Sequence, residues 1–174
     1  MRGAARVGTL HHICQALDRT LGEGGRQGAK VIYYTSLEAN DVTNAIFLLG
    51  AYLVIRLGAT VEEAWKPFVH MPSKWCVPFR DATWVASPYD LHVRDCWAGL
   101  HRAMAQGVYD PAKFDKNEYF YYDNPDHGDL HQVVPGKFIA FRGPRDDDQV
   151  VGALRPDDYI EVFVCGWIGG WGGS

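Results

Sequence analysis

At 174 residues, 47% hydrophobic and 13% aromatic, the chain has enough apolar surface for one domain with its own core, which excludes a disordered or low-complexity protein. The net charge of −4 is uneven, with 9 Lys+Arg against 8 Asp+Glu over residues 1–90 and 8 against 13 over 91–174. The acidic second half disfavours nucleic acid and suits a basic peptide or protein partner.

No apolar stretch reaches membrane-spanning length, and Ala45 to Ile55, closed by Arg56, suits a buried helix. The N-terminus MRGAARVGTLHHICQ lacks the apolar core of a signal peptide. The cysteines Cys14, Cys76, Cys96 and Cys165 are widely spaced, with no C-x-x-C. Reduced thiols are therefore expected, without a zinc site of the usual spacing.

In chain order, Leu10, Ile13, Cys14, Leu17 and Leu21 recur at helical spacing and predict a helix over residues 9–21, with His11 and His12 partly exposed. GEGGRQG then predicts a flexible linker, and KVIYYT a short strand. Thr35 and Glu38 have capping-box spacing ahead of AIFLLGAYLVIRL, a helix apolar nearly all round and so expected at the centre, stopping at Gly58. Thr60 to Glu63 opens another helix, ending near the proline of KPF. Residues 71–86 predict irregular connection. Ser87-Pro88-Tyr89-Asp90 then offers an N-cap, a first-turn proline and an acid at the third position. Tyr89, Val93, Cys96, Trp97, Leu100, Met104 and Val108 follow at spacings of three and four, with Gly107 as the stop.

Inside that helix, Cys96 to Arg102 (CWAGLHR) fits C-x2-G-x2-R, the pattern of a cysteine phosphatase loop. Such a loop needs its thiolate between a strand and a helix N-terminus, where backbone N–H groups cradle the phosphate and the arginine curls back onto it. On a continuous helix, six residues separate the pair by roughly 9 Å along the axis and about 120° around it. Asp95 further opposes thiolate formation. Cys96 and Arg102 are decoys on this reading. The strand–turn–helix VIYYTSLEANDVTNAIF has the topology for anion capture, but TSLEAND supplies neither cysteine nor arginine.

Among other candidates, His127 and His131 have H-x3-H spacing with Asp126 and Asp129 close by, but Asn-Pro-Asp and Gly128 predict a turn, so no metal is expected. GEGGRQG lacks the Gly-Lys-Ser/Thr ending of a phosphate loop, and Asp146 to Asp148 reads as a solvated loop. No cofactor is implied.

YYTS, NAIFLLGAY, PFRDA and VPGKFIAFRGP, in that order and spacing, resemble the N-terminal domain of the mitotic-exit dual-specificity phosphatases, the cell division cycle protein fourteen type. The likeness covers most of residues 9–163, through RPDDYIEVF. It implies an α/β, phosphatase-like domain at 1–163, incomplete at its N-terminus. That domain would be helix-rich, with a small central sheet flanked by helices, and would lack the catalytic Cys/Arg loop. The Gly/Trp-rich residues 164–174 have no counterpart in the resemblance and suggest a truncated or misread gene.

In the family two such domains stand in tandem, the second carrying H-C-x2-G-x2-R. The resemblance thus implies a non-catalytic specificity domain that packs on a catalytic domain and helps select proline-directed phosphosites, with a basic residue nearby, on cell-cycle proteins. Asp123 falls on one of the family's groove acids. Phe120 stands where a glutamate is expected, and Glu118, Asp126 and Asp129 are nearby acids. The family further implies nucleus or cytoplasm as the compartment, and no membrane. The competing expectations are an active cysteine phosphatase using Cys96 and Arg102, and a stand-alone pseudophosphatase that binds partners in trans.

Overall fold

The computed structural model describes residues 5–80, 85–134, 137–143, 155 and 157–159. It divides into two compact units, residues 1–112 and 113–174. Five α-helices and four short strands are described: α1 (Val7–Gln27), α2 (Ala39–Leu57), α3 (Val61–Trp65), β1 (Phe79–Arg80), β2 (Asp90–Leu91), α4 (Val93–Ala105), α5 (Lys116–Tyr122), β3 (His131–Val134) and β4 (Phe138–Ala140).

The first unit is built around α2, as its apolar sequence predicts. Thr43, Ala45, Ile46, Phe47, Leu48, Gly50, Ala51 and Val54 are buried along it. Leu10 and Cys14 from α1, Ala64 from α3, Phe79 from β1, and Val93 and Trp97 from α4 complete the core. By length and composition alone this 19-residue helix could cross a membrane; here its buried residues share a core with α1, α3 and α4. Trp97, fully buried, donates its indole N–H to the Phe47 carbonyl at 2.9 Å and lies against Trp65 and Phe68, with centroids 6.2 and 6.3 Å away. The buried Thr43 hydroxyl accepts from the Val77 N–H at 2.9 Å and donates to the Val77 carbonyl at 3.2 Å. That bond pair pins the connection after α3 to α2 and satisfies polar groups that burial would otherwise penalise.

The predicted stops and caps hold in part. Gly58 ends α2 in the left-handed region, φ 65°, with the Ala59 N–H on the Leu53 carbonyl. Thr60 and Glu63 form a reciprocal capping box, and α3 gives way to a 3-10 turn over Lys66–Phe68 at Pro67. The N-terminus of α2 is different. Glu38 is the N-cap without a side-chain bond, while the Ser36 hydroxyl accepts from the Glu38 N–H and donates to Asp41. Ser36 thus takes the place expected for Thr35.

Three expectations are corrected. The predicted linker GEGGRQG is the last turns of α1, which runs to Gln27 before Gly28 turns left-handed at φ 67°. Propagating an established helix costs less than nucleating one, so α1 continues through Gly22, Gly24 and Gly25. KVIYYT forms no strand. A strand needs a neighbour to pair with, and Ile32 and Tyr34 stand 82% and 88% exposed. Finally, α4 starts at Val93, six residues after the Ser87 expected to cap it. Asp90–Leu91 instead pairs antiparallel with Phe79–Arg80. The His92 N–H then donates to Asp95 at 2.9 Å, so the acid that serves the helix start is Asp95 and not Asp90.

A small central sheet was also expected. The described residues hold two separate two-stranded antiparallel ribbons, β1–β2 and β3–β4, and the centre of the first unit is a helix. The chain is thus helix-rich with small sheets. In the second unit Asp115 caps α5 by accepting from the Asn117 and Glu118 N–H groups. Leu130 is buried, and the buried Tyr159 donates to the Gly128 carbonyl with its ring against Phe141. The sequence readings at residues 81–84, Cys165, Asp146 to Asp148 and the tail 164–174 lie outside the described residues.

Candidate functional site

Cys96 and Arg102 lie on one uninterrupted helix, α4. The later helix start brings Cys96 into the first turns rather than mid-helix. Even so, its backbone N–H is already committed to the His92 carbonyl at 3.2 Å. Rise and twist still carry Arg102 roughly 9 Å along the axis and about 120° around it. Burial, and after it the Asp95 carboxylate, push the Cys96 thiol above its ordinary pKa. A nucleophilic cysteine needs the opposite shift. Nearby, an open cavity of about 700 Å³ is lined by Glu62, Trp65, Met71, Cys76, His92 and Arg94 among others. Its charges are mixed, and Cys96 is not part of its wall.

The predicted acidic segment forms a defined structure. α5 presents Glu118 and Phe120 to solvent, and Phe120 meets Tyr119 edge-on at 5.6 Å. Asp123 follows as the C-cap, its N–H on the Tyr119 carbonyl. The Asn124 side chain then accepts from the Asp126 N–H and starts a 3-10 turn over Pro125–His127, leaving Asp126 exposed. Gly128 (φ 95°) and Asp129 (φ 48°) reverse the chain, and the Leu130 N–H bonds the Tyr122 carbonyl at 2.8 Å.

This reversal brings Asp123, Asp129 and His131 together. His131 Nε2 is 3.0 Å from Asp123 Oδ1 and 3.3 Å from Asp129 Oδ1. The Asp123 side chain is only 9% exposed. His127, the other half of the H-x3-H spacing, points elsewhere: its ring stacks on Tyr121 at 3.8 Å, and its Nδ1 meets the Tyr121 carbonyl at 2.8 Å. The H-x3-H spacing thus brings no second imidazole to His131, whose neighbours are Asp123 and Asp129. The link to Asp123 spans a helix end and two successive left-handed residues, a path that no periodic pattern encodes.

Comparison with known proteins places the chain in a family. Residues 3–103, more than half the chain, match the family profile "Dual specificity protein phosphatase, N-terminal half". The chain belongs to that family. Among similar dual-specificity phosphatases, mouse CDC14A is 34% identical and human CDC14A 33% identical, each over 164 residues covering 92% of this chain. The Candida albicans tyrosine-protein phosphatase CDC14 is 29% identical over 93% of this chain. The alignments cover 27%, 28% and 30% of those relatives, so the chain spans between a quarter and a third of their length. The profile match ends within α4, before α5 and the Asp123–His131 reversal.

Proposed function

We propose that the chain is the specificity half of a dual-specificity phosphatase, working with a catalytic domain of the same protein that carries the nucleophile. The surface of α5 and the turn that follows it, with Glu118, Phe120, Asp123 and Asp126, favours proline-directed phosphosites that have a basic residue close by. The observation that carries this reading is the state of Cys96, whose thiol is raised in pKa and whose supposed arginine partner lies around and along the same helix. Such a pair does not converge on one phosphoryl group. The local excess of carboxylates complements a lysine or arginine on a substrate, steering encounter more than setting affinity.

The test is turnover of a phosphoserine-proline peptide and of a generic aryl phosphate by wild type and Cys96→Ser in parallel. Neither protein should hydrolyse either substrate. Hydrolysis by the wild type that vanishes in Cys96→Ser would make this chain an enzyme in its own right. Asp126→Asn should weaken binding of a peptide with a basic flank by severalfold, roughly the value of one exposed charge pair. A peptide with a neutral flank should be little affected.

A further inference from the structure

Three metal-ligating atoms converge in the second unit. Carboxylate oxygens of Asp123 and Asp129 and Nε2 of His131 all lie within 4.8 Å of one another. They come from three backbone settings: the end of α5, a left-handed residue, and the first residue of β3. A neutral imidazole has one N–H, and Nε2 carries at most that single proton. It therefore cannot point fully at two carboxylates standing 3.0 and 3.3 Å away. A cation between the three atoms bonds all of them at once.

The distances also suit such an ion. Nitrogen and oxygen ligands at about 2.0–2.2 Å from a metal stand roughly 3.0–3.4 Å apart along an octahedral or tetrahedral edge. Both nitrogen-to-oxygen separations fall in that range. We propose that Asp123, Asp129 and His131 form a binding site for a first-row divalent metal ion. One imidazole with two carboxylates favours Zn²⁺, Co²⁺ or Mn²⁺ over Ca²⁺, which gathers six to eight oxygens. Three protein ligands leave further positions to water.

The surroundings hold the ligands in place. The His131 ring lies against Tyr119, centroids 5.2 Å apart, and the Asp129 N–H is fixed on the Asn124 carbonyl at 3.1 Å. Asp123 forms the inner wall, while Asp129 and His131 are 40% and 31% exposed and leave an entry path. His127 is held by Tyr121 and takes no part. The site stands on this geometry alone and does not depend on the specificity reading above.

The test is titration of the tag-free, chelator-stripped chain with Co²⁺ and Zn²⁺ by calorimetry. One equivalent should bind saturably, more tightly than Ca²⁺ or Mg²⁺. His131→Gln and Asp129→Asn should each weaken binding by roughly tenfold or more, and His12→Gln should leave it unchanged. On the wild-type chain, independently of how any variant folds, Co²⁺ should shift the ring resonances of His131 before those of His12, His70, His92 or His101. Absence of saturable binding, a shift that begins at another histidine, or folded variants that bind like wild type would overturn the site.

Discussion

Position 50 has room only for hydrogen. In the middle of α2, alanine would ordinarily gain about 1 kcal/mol of helix propensity over glycine. Here its Cβ would overlap Cζ2 and Cε2 of Trp97. That indole is fully buried and tied to the Phe47 carbonyl, so it has nowhere to retreat. Overpacking of this kind costs about 1–3 kcal/mol and sometimes more, and it outweighs the propensity gain. Gly50→Ala should therefore lower the urea midpoint, by about 2 kcal/mol in stability; an unchanged or raised midpoint would contradict the close approach.

Cys14 carries a pH dependence at the same scale. Burial, opposed by Arg56 and reinforced by Asp18, raises its pKa from 9.0 to about 11. The folded state thus holds the thiol proton more tightly than the unfolded state does. The contribution is fully present below pH 9 and is lost as pH rises towards 11, at about 1.4 kcal/mol for each pH unit in that interval. Stability measured by urea unfolding should fall between pH 8.5 and 10.5 more steeply in wild type than in Cys14→Ala. Tyr109, pushed to about 12 mainly by burial, leaves a shallower residual slope in both.

Among elements, the C-terminal end of α2 shows what local chemistry can specify. Gly58 has open space where a Cβ would go, so only its left-handed backbone penalises a side chain. Gly58→Ala should cost about 1 kcal/mol, with Gly58→Asn closer to wild type because asparagine tolerates that region. Parallel denaturation of the two variants checks the order. Gly58 was legible from sequence for this reason: its requirement is local.

The start of α4 was not legible in the same way. Ser87-Pro88-Tyr89-Asp90 carries acceptable capping chemistry, yet β1 claims Asp90 and Leu91 as its partner strand. A second signature, His92 with Asp95, lay five residues on, and long-range pairing chose between them. KVIYYT fails as a strand for the complementary reason. Its β-branched and aromatic residues fit a pleated surface, but no described strand runs beside it.

Over the whole molecule, protection should follow this division between packed and unpaired backbone. Residues 30–35 donate and accept no backbone hydrogen bond among the described residues, whereas α2 is helical throughout and buried by three other helices. Amide exchange followed by mass spectrometry should find α2 the slowest segment of the first unit. Residues 30–35 should exchange near the rate of an unfolded peptide. Marked protection at 30–35 would mean that a pairing partner covers this segment in solution.

The sequence by itself determined the apolar central helix, the Gly58 stop, the Thr60 capping box and the family. These rest on nearest-neighbour chemistry or on a linear order of motifs. It also sufficed to put Cys96 and Arg102 on a common helix, since period and rise are fixed by the backbone. Only the tertiary structure decided that His92 rather than Ser87 begins α4, because β1 pairs with Asp90 and Leu91, and that His131 meets Asp123 across a left-handed reversal. In both cases the outcome was set by contacts whose spacing along the chain follows no period.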